Sequence, residues 1–160
     1  MVEDAKFEDG GERPLRLLAM DADDLQVVSA LTQDAVFPIT EMTWQPQRRR
    51  FALLVNRFRW EDRDTAAAKA RPVERVQSVL SFSDVEKVQT QGVDRAETDV
   101  VLSLLSISFE PGEDGSGRIL LTLAGDGAIG LSVEALEATL EDVTRPYVAP
   151  SHHTPEHPEG

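Results

Sequence analysis

The sequence predicts an α+β domain made mainly of antiparallel β-strands. Six or seven segments alternate apolar with polar residues, which is the period of a strand with one buried face. The connections between them are too short for parallel pairing, which needs a crossover of about a dozen residues or more. Helical periodicity is confined to one segment near the N-terminus and a shorter one near the C-terminus. We therefore expect a strongly bent sheet or a partly closed barrel with one N-terminal helix and a short C-terminal helix.

The N-terminal part of the chain predicts a short strand, a helix and a second extended segment. Residues 15–20 are apolar enough for the strand, and Asp21 is followed three residues later by another aspartate, as at a helix N-cap. Apolar residues at helical spacing extend the helix over about residues 22–34. Pro38 and its β-branched neighbours then favour extended chain as far as Trp44.

Residues 50–60 combine aromatic and branched side chains between turn signals, which favours a strand. Alternate residues of a strand share a face. One face of this strand therefore carries Phe51, Leu53, Val55, Arg57 and Arg59. Because that face changes from apolar to cationic, we expect the strand to run from the core out to a rim.

The rest of the chain predicts further strands joined by tight turns. Residues 62–72 are small and charged, and are expected to form a solvated loop or a frayed helical turn. Alternating apolar residues predict strands at 76–82, 101–109, 119–123 and 129–133, and the first of these is expected to continue as extended chain through Val85 and Val88 to Gly92. Asp126 and Gly127 are expected to form a two-residue type I′ turn between the last two strands.

Residues 134–143 carry Leu136, Leu140 and Val143 at helical spacing with glutamates between them, so a short terminal helix is expected. A bulged continuation of the preceding strand is the alternative. With the helix, the order of elements matches a small barrel plugged by one terminal helix, as in pleckstrin-homology-like domains. Such a likeness of topology does not by itself imply a function.

The domain organisation follows from the same patterns. We expect a single β-rich domain over residues 14–147. Residues 1–13 are strongly acidic and are expected to be flexible. Residues 148–160 are polar and too poor in apolar side chains to order themselves, so a disordered tail is expected.

Composition excludes several classes of function. The absence of cysteine excludes disulfides, thiolate nucleophiles and thiolate metal sites, and agrees with a reducing cytoplasm. No apolar run approaches the roughly 18 residues of a membrane span, and the N-terminus lacks the pattern of an export signal. A net charge of −13 argues against general binding to nucleic acid. We therefore expect a cytoplasmic protein.

The cationic excess of the chain lies in one window. Residues 48–75 hold 9 basic and 4 acidic side chains, whereas the segments on either side are acidic. Guanidinium groups beside aromatic rings bind phosphates, carboxylates or stacked bases. The candidate binding residues are Arg48, Arg50, Arg57, Arg59 and Trp60. The alternative is that these arginines pair with the surplus carboxylates of the same chain.

Catalytic and metal-binding patterns are weak. The histidines, His152, His153 and His157, all lie in the tail, where incidental histidines are a simpler interpretation than a metal site. Asp126 and Glu134 would suit acid and base roles, but carboxylates in so acidic a chain are mostly surface groups. The hairpin accounts for the glycines of its turn without a phosphate-binding loop. We assign no catalytic residue, no metal site and no cofactor.

Three groups of residues resemble an uncharacterised bacterial family, of alphaproteobacterial type, which is a domain of unknown function. They are Arg50 to Leu53 with Asn56-Arg57-Phe58 and Trp60-Glu61, Leu102 to Leu105 with Phe109-Glu110, and Ala124-Gly125 with Gly127-Ala128-Ile129, Leu131 and Val133-Glu134. The likeness covers most of residues 15–145. In that family a basic residue is usual at the position of Gly130 and a glycine at that of Asp126, which implies that this chain has lost a cation at the hairpin. The resemblance implies a cytosolic single-domain protein and brings no activity.

The leading functional hypothesis is a non-catalytic binding or accessory module whose Arg/aromatic strand contacts an acidic protein or a phosphate-bearing ligand. The first alternative is a small-molecule enzyme that uses carboxylates in a pocket of the bent sheet. A self-associating structural protein is the second. The oligomeric state is left open.

Overall fold

The computed structural model of the chain describes residues 14–62 and 74–147. The predicted acidic segment 1–13, the tail 148–160 and nearly all of the predicted loop 62–72 lie outside the described residues. The described elements, in chain order, are β1 (Arg16–Ala19), α1 (Ala22–Leu31), β2 (Val36–Pro38), β3 (Met42–Gln45), β4 (Arg50–Phe58), β5 (Arg75–Phe82), β6 (Val85–Gln91), β7 (Val101–Pro111), β8 (Gly117–Leu123), β9 (Ala128–Val133) and β10 (Ala138–Asp142). Single 3-10 turns lie at Ile39–Glu41 and Trp60–Asp62.

The strands form one antiparallel sheet. Its spatial order is β1-β10-β5-β4-β2-β7-β8-β9-β6, and β3 pairs with β4 off this path. The sheet is open, because β1 and β6 lie at its two ends and do not pair with each other. These pairings confirm the predicted α+β class with a mainly antiparallel sheet.

The sheet bends so that its two halves share one core. β5 pairs within the half built from β1, β10, β4 and β3, whereas β6, only two residues further on, pairs with β9 in the other half. Asp84 makes this change of direction with a φ of 56°. Buried side chains of both halves belong to one apolar cluster, which includes Phe51, Leu53, Leu80, Leu140, Ile107, Leu121 and Leu131. Burial of this shared apolar surface is what holds the two halves together.

Helix α1 begins where the sequence predicts and ends early. The side chain of Asp21 accepts a hydrogen bond from the backbone N–H of Asp24 (2.8 Å), which confirms the predicted N-cap. The helix ends at Leu31, three residues before the predicted end. The Ser29 hydroxyl accepts the backbone N–H of Ile107 (2.9 Å) beside a bulge in β7, so the helix is anchored at an irregularity of the sheet.

The predicted short C-terminal helix is wrong, because residues 138–142 form the strand β10. This strand pairs with β5 on one side and with β1 on the other. Leu140 is 0% exposed and Val143 is 52% exposed, although a helix would have placed them on one face. Pairing with strands distant in sequence has overridden the local spacing. The described residues therefore lack the terminal helix of a pleckstrin-homology-like barrel.

The hairpin between β8 and β9 is confirmed, with its turn displaced by one residue. The backbone N–H of Leu123 donates to the carbonyl of Gly127 (2.9 Å). Positive φ angles fall on Gly125 (79°) and Asp126 (70°), and Gly127 has no positive φ. The left-handed pair is therefore Gly125 and Asp126 rather than Asp126 and Gly127.

The strand at β10 predicts unequal costs for two truncations. Leu140→Ala empties a buried position and should lower the free energy of unfolding by about 2–5 kcal/mol. Val143→Ala changes an exposed side chain and should cost within about 0.5 kcal/mol. Urea unfolding of both variants measures the difference. Similar large costs at both positions would contradict the strand and favour a helix.

Candidate functional site

Arg57, which the sequence placed at the cationic end of β4, is completely buried. Its side chain is 0% exposed and lies on the inner face of the sheet. Its Nη1 and Nη2 donate to Oε1 and Oε2 of Glu61 (2.9 Å each), and Nη2 also donates to Oδ1 of Asp142 (3.0 Å). Its Nε donates to the Ser78 hydroxyl (3.0 Å). The guanidinium thus forms a bidentate pair with Glu61 and further hydrogen bonds with the carboxylate of Asp142 and the hydroxyl of Ser78.

Asp142 connects this cluster to the edge of the sheet. Its Oδ1 accepts the Ser78 hydroxyl (2.7 Å), and its Oδ2 accepts the backbone N–H of Leu15 (2.8 Å). The backbone N–H of Asp142 donates in return to the Leu15 carbonyl (2.9 Å). One side chain therefore bonds to β4, to β5 and to the residue before β1.

Arg59 completes a charge-balanced cluster. Its side chain is 3% exposed, and its Nη1 lies 3.8 Å from Oε2 of Glu61 and 3.9 Å from Oδ2 of Asp142. Two arginines thus face two carboxylates, of which Asp142 is buried and Glu61 reaches the surface. The geometry gives Arg57 and Arg59 an internal role, so we do not assign them to a ligand.

Glu61 and Arg57 shift each other's pKa in opposite directions. Burial alone would raise the pKa of Glu61, but the hydrogen bonds and charge of Arg57 outweigh it and hold this pKa below its ordinary value. Burial alone would lower the pKa of Arg57, and the bonds to Glu61 with the charge of Asp142 raise it instead. Both groups are therefore charged at neutral pH.

Trp60 belongs to the contact between β4 and the end of α1. Its indole Nε1 donates to the Gln33 carbonyl (2.9 Å), and its ring centroid lies 5.5 Å from that of Phe58. The guanidinium carbon of Arg75 lies 4.5 Å above the Phe58 ring, a cation–π contact. This aromatic group packs within the protein, and Trp60 is half-buried.

Three consecutive arginines lie in the turn between β3 and β4 and at the first residue of β4, and the middle one forms salt bridges within the protein. Arg49 donates to Oε1 of Glu134 (2.7 Å) and to Oε2 of Glu86 (3.3 Å), and the bond to Glu134 raises its pKa. Its carbonyl accepts the backbone N–H of Val85 (2.8 Å), the first residue of β6. Arg48 and Arg50 on either side are exposed.

A groove on the outer face of β6, β9 and β8, which we call the Arg118 groove, is a second candidate site. Its volume is about 430 Å³. The sheet register aligns Gln89 of β6 with Gly130 of β9 and Leu120 of β8. Small residues of β9 therefore form a floor between the longer side chains of two neighbouring strands. The lining residues are Gln89, Thr90, Gln91, Arg118, Leu120, Ala128 and Gly130.

Arg118 directs its charge into this groove. Glu110 of β7 is its partner in register, yet the guanidinium lies over Gly130 on the opposite side. A Cβ at Gly130 would collide with that guanidinium, so only glycine leaves the room it occupies. Arg118 is exposed, and no hydrogen bond or salt bridge joins its side chain to another described residue.

The loss of a cation relative to the family stays a prediction, but the hairpin does not lack a nearby cation, because Arg118 from the neighbouring strand lies over the position of Gly130. Sequence reasoning missed Arg118 since it searched for clusters of basic residues, and this arginine is isolated in an acidic part of the chain. The available signals were an arginine on the outward side of β8 and a glycine within β9. Only the strand register relates them to each other.

The catalytic pair considered from the sequence is separated by a whole strand. Asp126 precedes β9 and Glu134 follows it, and six residues of strand span roughly 20 Å. Paired glycosidase carboxylates lie only about 5–9.5 Å apart. Within the part of the chain that the structure describes, no three His, Cys, Asp or Glu side chains group as metal ligands. The three histidines lie outside it.

A comparison with known families decides what this chain is related to. A family model described as "Protein of unknown function (DUF2948)" matches residues 15–157. The chain belongs to the DUF2948 family. No curated protein and no solved structure matches it. Among the described residues, this DUF2948 chain has no helix long and apolar enough to cross a membrane. Its function must therefore be argued from the geometry of its sites.

The buried cluster predicts a large effect of neutralising Asp142. Asp142→Asn leaves two buried arginines facing a single carboxylate, and should lower the free energy of unfolding by about 3–5 kcal/mol. The matched control is Glu141→Gln, one residue earlier and exposed, with an expected change within about 0.5 kcal/mol. Chemical denaturation at neutral pH compares them, and equal small losses would show that the cluster stabilises little.

The lowered pKa of Glu61 predicts a dependence of stability on pH. A carboxylate with a depressed folded pKa stabilises the fold fully above its unfolded pKa, about 4.3, and this contribution is lost as the pH falls through the folded value. Glu61→Gln should therefore be less stable than the parent at pH 7 and lose less stability on acidification below about pH 4.3. Denaturation at several pH values tests this, with exposed Glu97→Gln as control. Parallel curves for the parent and Glu61→Gln would contradict it.

Proposed function

We propose that this chain is a non-catalytic binding module that holds an anionic group, a carboxylate or a phosphate, in the Arg118 groove. The observation that carries the proposal is the position of the Arg118 guanidinium, exposed over Gly130 and without an ionic partner among the described residues. A guanidinium presents a fixed fork of N–H donors that matches the two oxygens of a carboxylate or phosphate. An arginine that bends away from its neighbouring carboxylate has this fork available.

The other lining residues suit a ligand with a polar body behind the anionic group. Gln89 and Gln91 supply amide donors and acceptors on the β6 side. Leu120 and Ala128 supply apolar surface on the other side and at the floor. The groove thus combines one charge with a few polar groups on a small-residue floor, which is a common composition of a ligand site.

We propose the same kind of partner as the sequence analysis, an acidic protein or a phosphate-bearing ligand, but a different set of residues that contact it. Arg57 and Arg59 are buried against the protein's own carboxylates, and Arg118 takes their place as the proposed anchor. Arg48 and Arg50 are exposed on the turn that bonds to the first residue of β6. Their charge favours anions at that end of the strand. We place this binding in the cytoplasm, as the cysteine-free composition predicts.

The carboxylate enzyme, the first alternative, gains no support from this groove. None of its lining residues is Asp or Glu, so it offers no carboxylate as an acid or a base. We therefore propose binding rather than catalysis there.

The test is a titration of the ¹⁵N-labelled chain with inorganic phosphate and, separately, with acetate, at constant ionic strength. We expect millimolar binding with amide shifts at residues 118, 130 and 89. Arg118→Gln should weaken it by at least about tenfold, which corresponds to roughly 1.4 kcal/mol. The matched control is Arg95→Gln, which removes another exposed arginine, one that lies outside the groove.

Gly130→Ala provides a second variant that keeps the arginine. The added methyl group displaces the guanidinium, which is the end of a flexible side chain, so the fold should survive while binding weakens. Equal effects of the Arg118 and Arg95 substitutions, or shifts spread over the whole chain, would contradict the proposal. Stronger shifts with phosphate or with acetate identify which anion the groove prefers.

A further inference from the structure

The edge strand next to the Arg118 groove carries an inference about the partner, which rests on the proposed function. β6 pairs with β9 along one edge. On its other edge, the first residue, Val85, donates to the Arg49 carbonyl, and no described strand pairs with the residues that follow. Peptide N–H and C=O groups of such an edge are ready to pair with another extended chain.

The second half of β6 lacks the features that usually protect an edge. Proteins protect open edges with charged side chains, prolines, bulges or covering elements. The bulge of β6 lies at its beginning, between Val85 and Lys87. Residues 88–91 (Val-Gln-Thr-Gln) carry neither charge nor proline, and they pair in unbroken register with β9. This half of the strand is a regular, neutral template.

The charges beside this edge favour an acidic partner. Glu86 bonds to Arg49, which also bonds to Glu134, so the charge of Glu86 at the beginning of β6 is only partly balanced. Lys87 is exposed, and the register places it in one row with Ser132 and Arg118 on the outer face. The two cations therefore lie along the surface that an added strand would border.

The spacing of strands brings the edge and the anion site within reach of one peptide. Neighbouring strands lie about 4.8 Å apart, so a strand added to β6 would run roughly 10 Å from β9. Residues of that strand opposite Gln89 share a row with Gly130, over which the guanidinium of Arg118 lies. A glutamate side chain and the Arg118 side chain together span that distance across Gln89.

We propose that β6 accepts an extended acidic peptide of a partner protein as an additional strand, with a glutamate of that peptide bound by Arg118. Backbone hydrogen bonds along residues 88–91 supply affinity, and the carboxylate fixes the register. This is the strand-addition mode of peptide recognition. A second copy of this chain is the less favoured occupant, because a net charge of −13 on each copy opposes pairing.

The experiment uses a labelled peptide of about eight residues that alternates valine and glutamate, and a matched peptide that alternates valine and glutamine. Fluorescence anisotropy should show the glutamate peptide binding at least about tenfold more tightly than acetate and than the glutamine peptide. Arg118→Gln should lose at least about tenfold of that affinity, and Arg95→Gln should keep it. Hydrogen exchange should show new protection confined to β6.

Backbone methylation of the peptide tests strand pairing without changing the protein. Successive backbone N–H groups of an added strand point alternately toward β6 and away from it. A peptide N-methylated at the residues whose N–H groups point toward β6 should therefore not bind, whereas a peptide N-methylated at the other residues should bind as before. If neither methylation matters, or if the peptide binds no better than acetate, strand addition is refuted while the anion site stands. If the unsubstituted chain binds neither acetate nor the peptide, the proposed function is overturned as well. Protection of β6 that grows with protein concentration alone would refute the peptide and favour self-association.

Discussion

The buried pairing of Arg57 with Asp142 and Glu61 is the constraint on which the first half of the sheet depends. Removing a guanidinium from water costs several kcal/mol unless carboxylates and hydroxyls replace the water, so this arginine requires partners. Asp142 supplies one from β10 and also bonds to Ser78 and to the backbone of Leu15. A shift of β10 by one residue would turn Asp142 to the outer face and leave the charge uncompensated. The polar cluster thus specifies the register in a face that is otherwise apolar.

The same cluster shows how arginines of the basic window pair with carboxylates of the protein itself. The acidic chain provides carboxylates from distant segments, so Arg49, Arg57 and Arg59 all lie beside internal partners despite a local excess of positive charge. Arg118 stands alone in sequence and lacks such a partner among the described residues. Its neighbour in register, Glu110, lies on the side from which the guanidinium turns away. The surroundings of each charge, rather than the number of charges in a segment, are therefore the basis on which we propose Arg118 as the anchor.

Most of the fold followed from local patterns, and the failures arose where distant strands meet. Alternation predicted β5, β7, β8 and β9, aromatic and branched content predicted β4, and the aspartate cap predicted the start of α1, whereas β6 was expected only as a continuation of β5. The spacing of Leu136, Leu140 and Val143 fits a helix, but β5 needs a partner on its second edge, and the pairing of Ser78 with Asp142 joins residues 64 apart. No periodicity within residues 134–143 contains that information. The groove was hidden for the same reason, because the importance of Gly130 depends on an arginine in another strand.

The shape of β9 links the core to the proposed binding surface. Its inner residues, Ile129, Leu131 and Val133, are buried in the shared core, whereas its outer residues are Ala128, Gly130 and Ser132. This strand is anchored on one side and nearly flat on the other, so a long side chain from β8 can lie across it. The acidic body repels simple anions only weakly beyond about 8 Å, the screening length at physiological salt. Discrimination must then come from short-range contacts, and an extended peptide offers both a carboxylate to Arg118 and a backbone to β6. A free phosphate offers an anion to Arg118 but no backbone to β6, which is why we propose the peptide as partner.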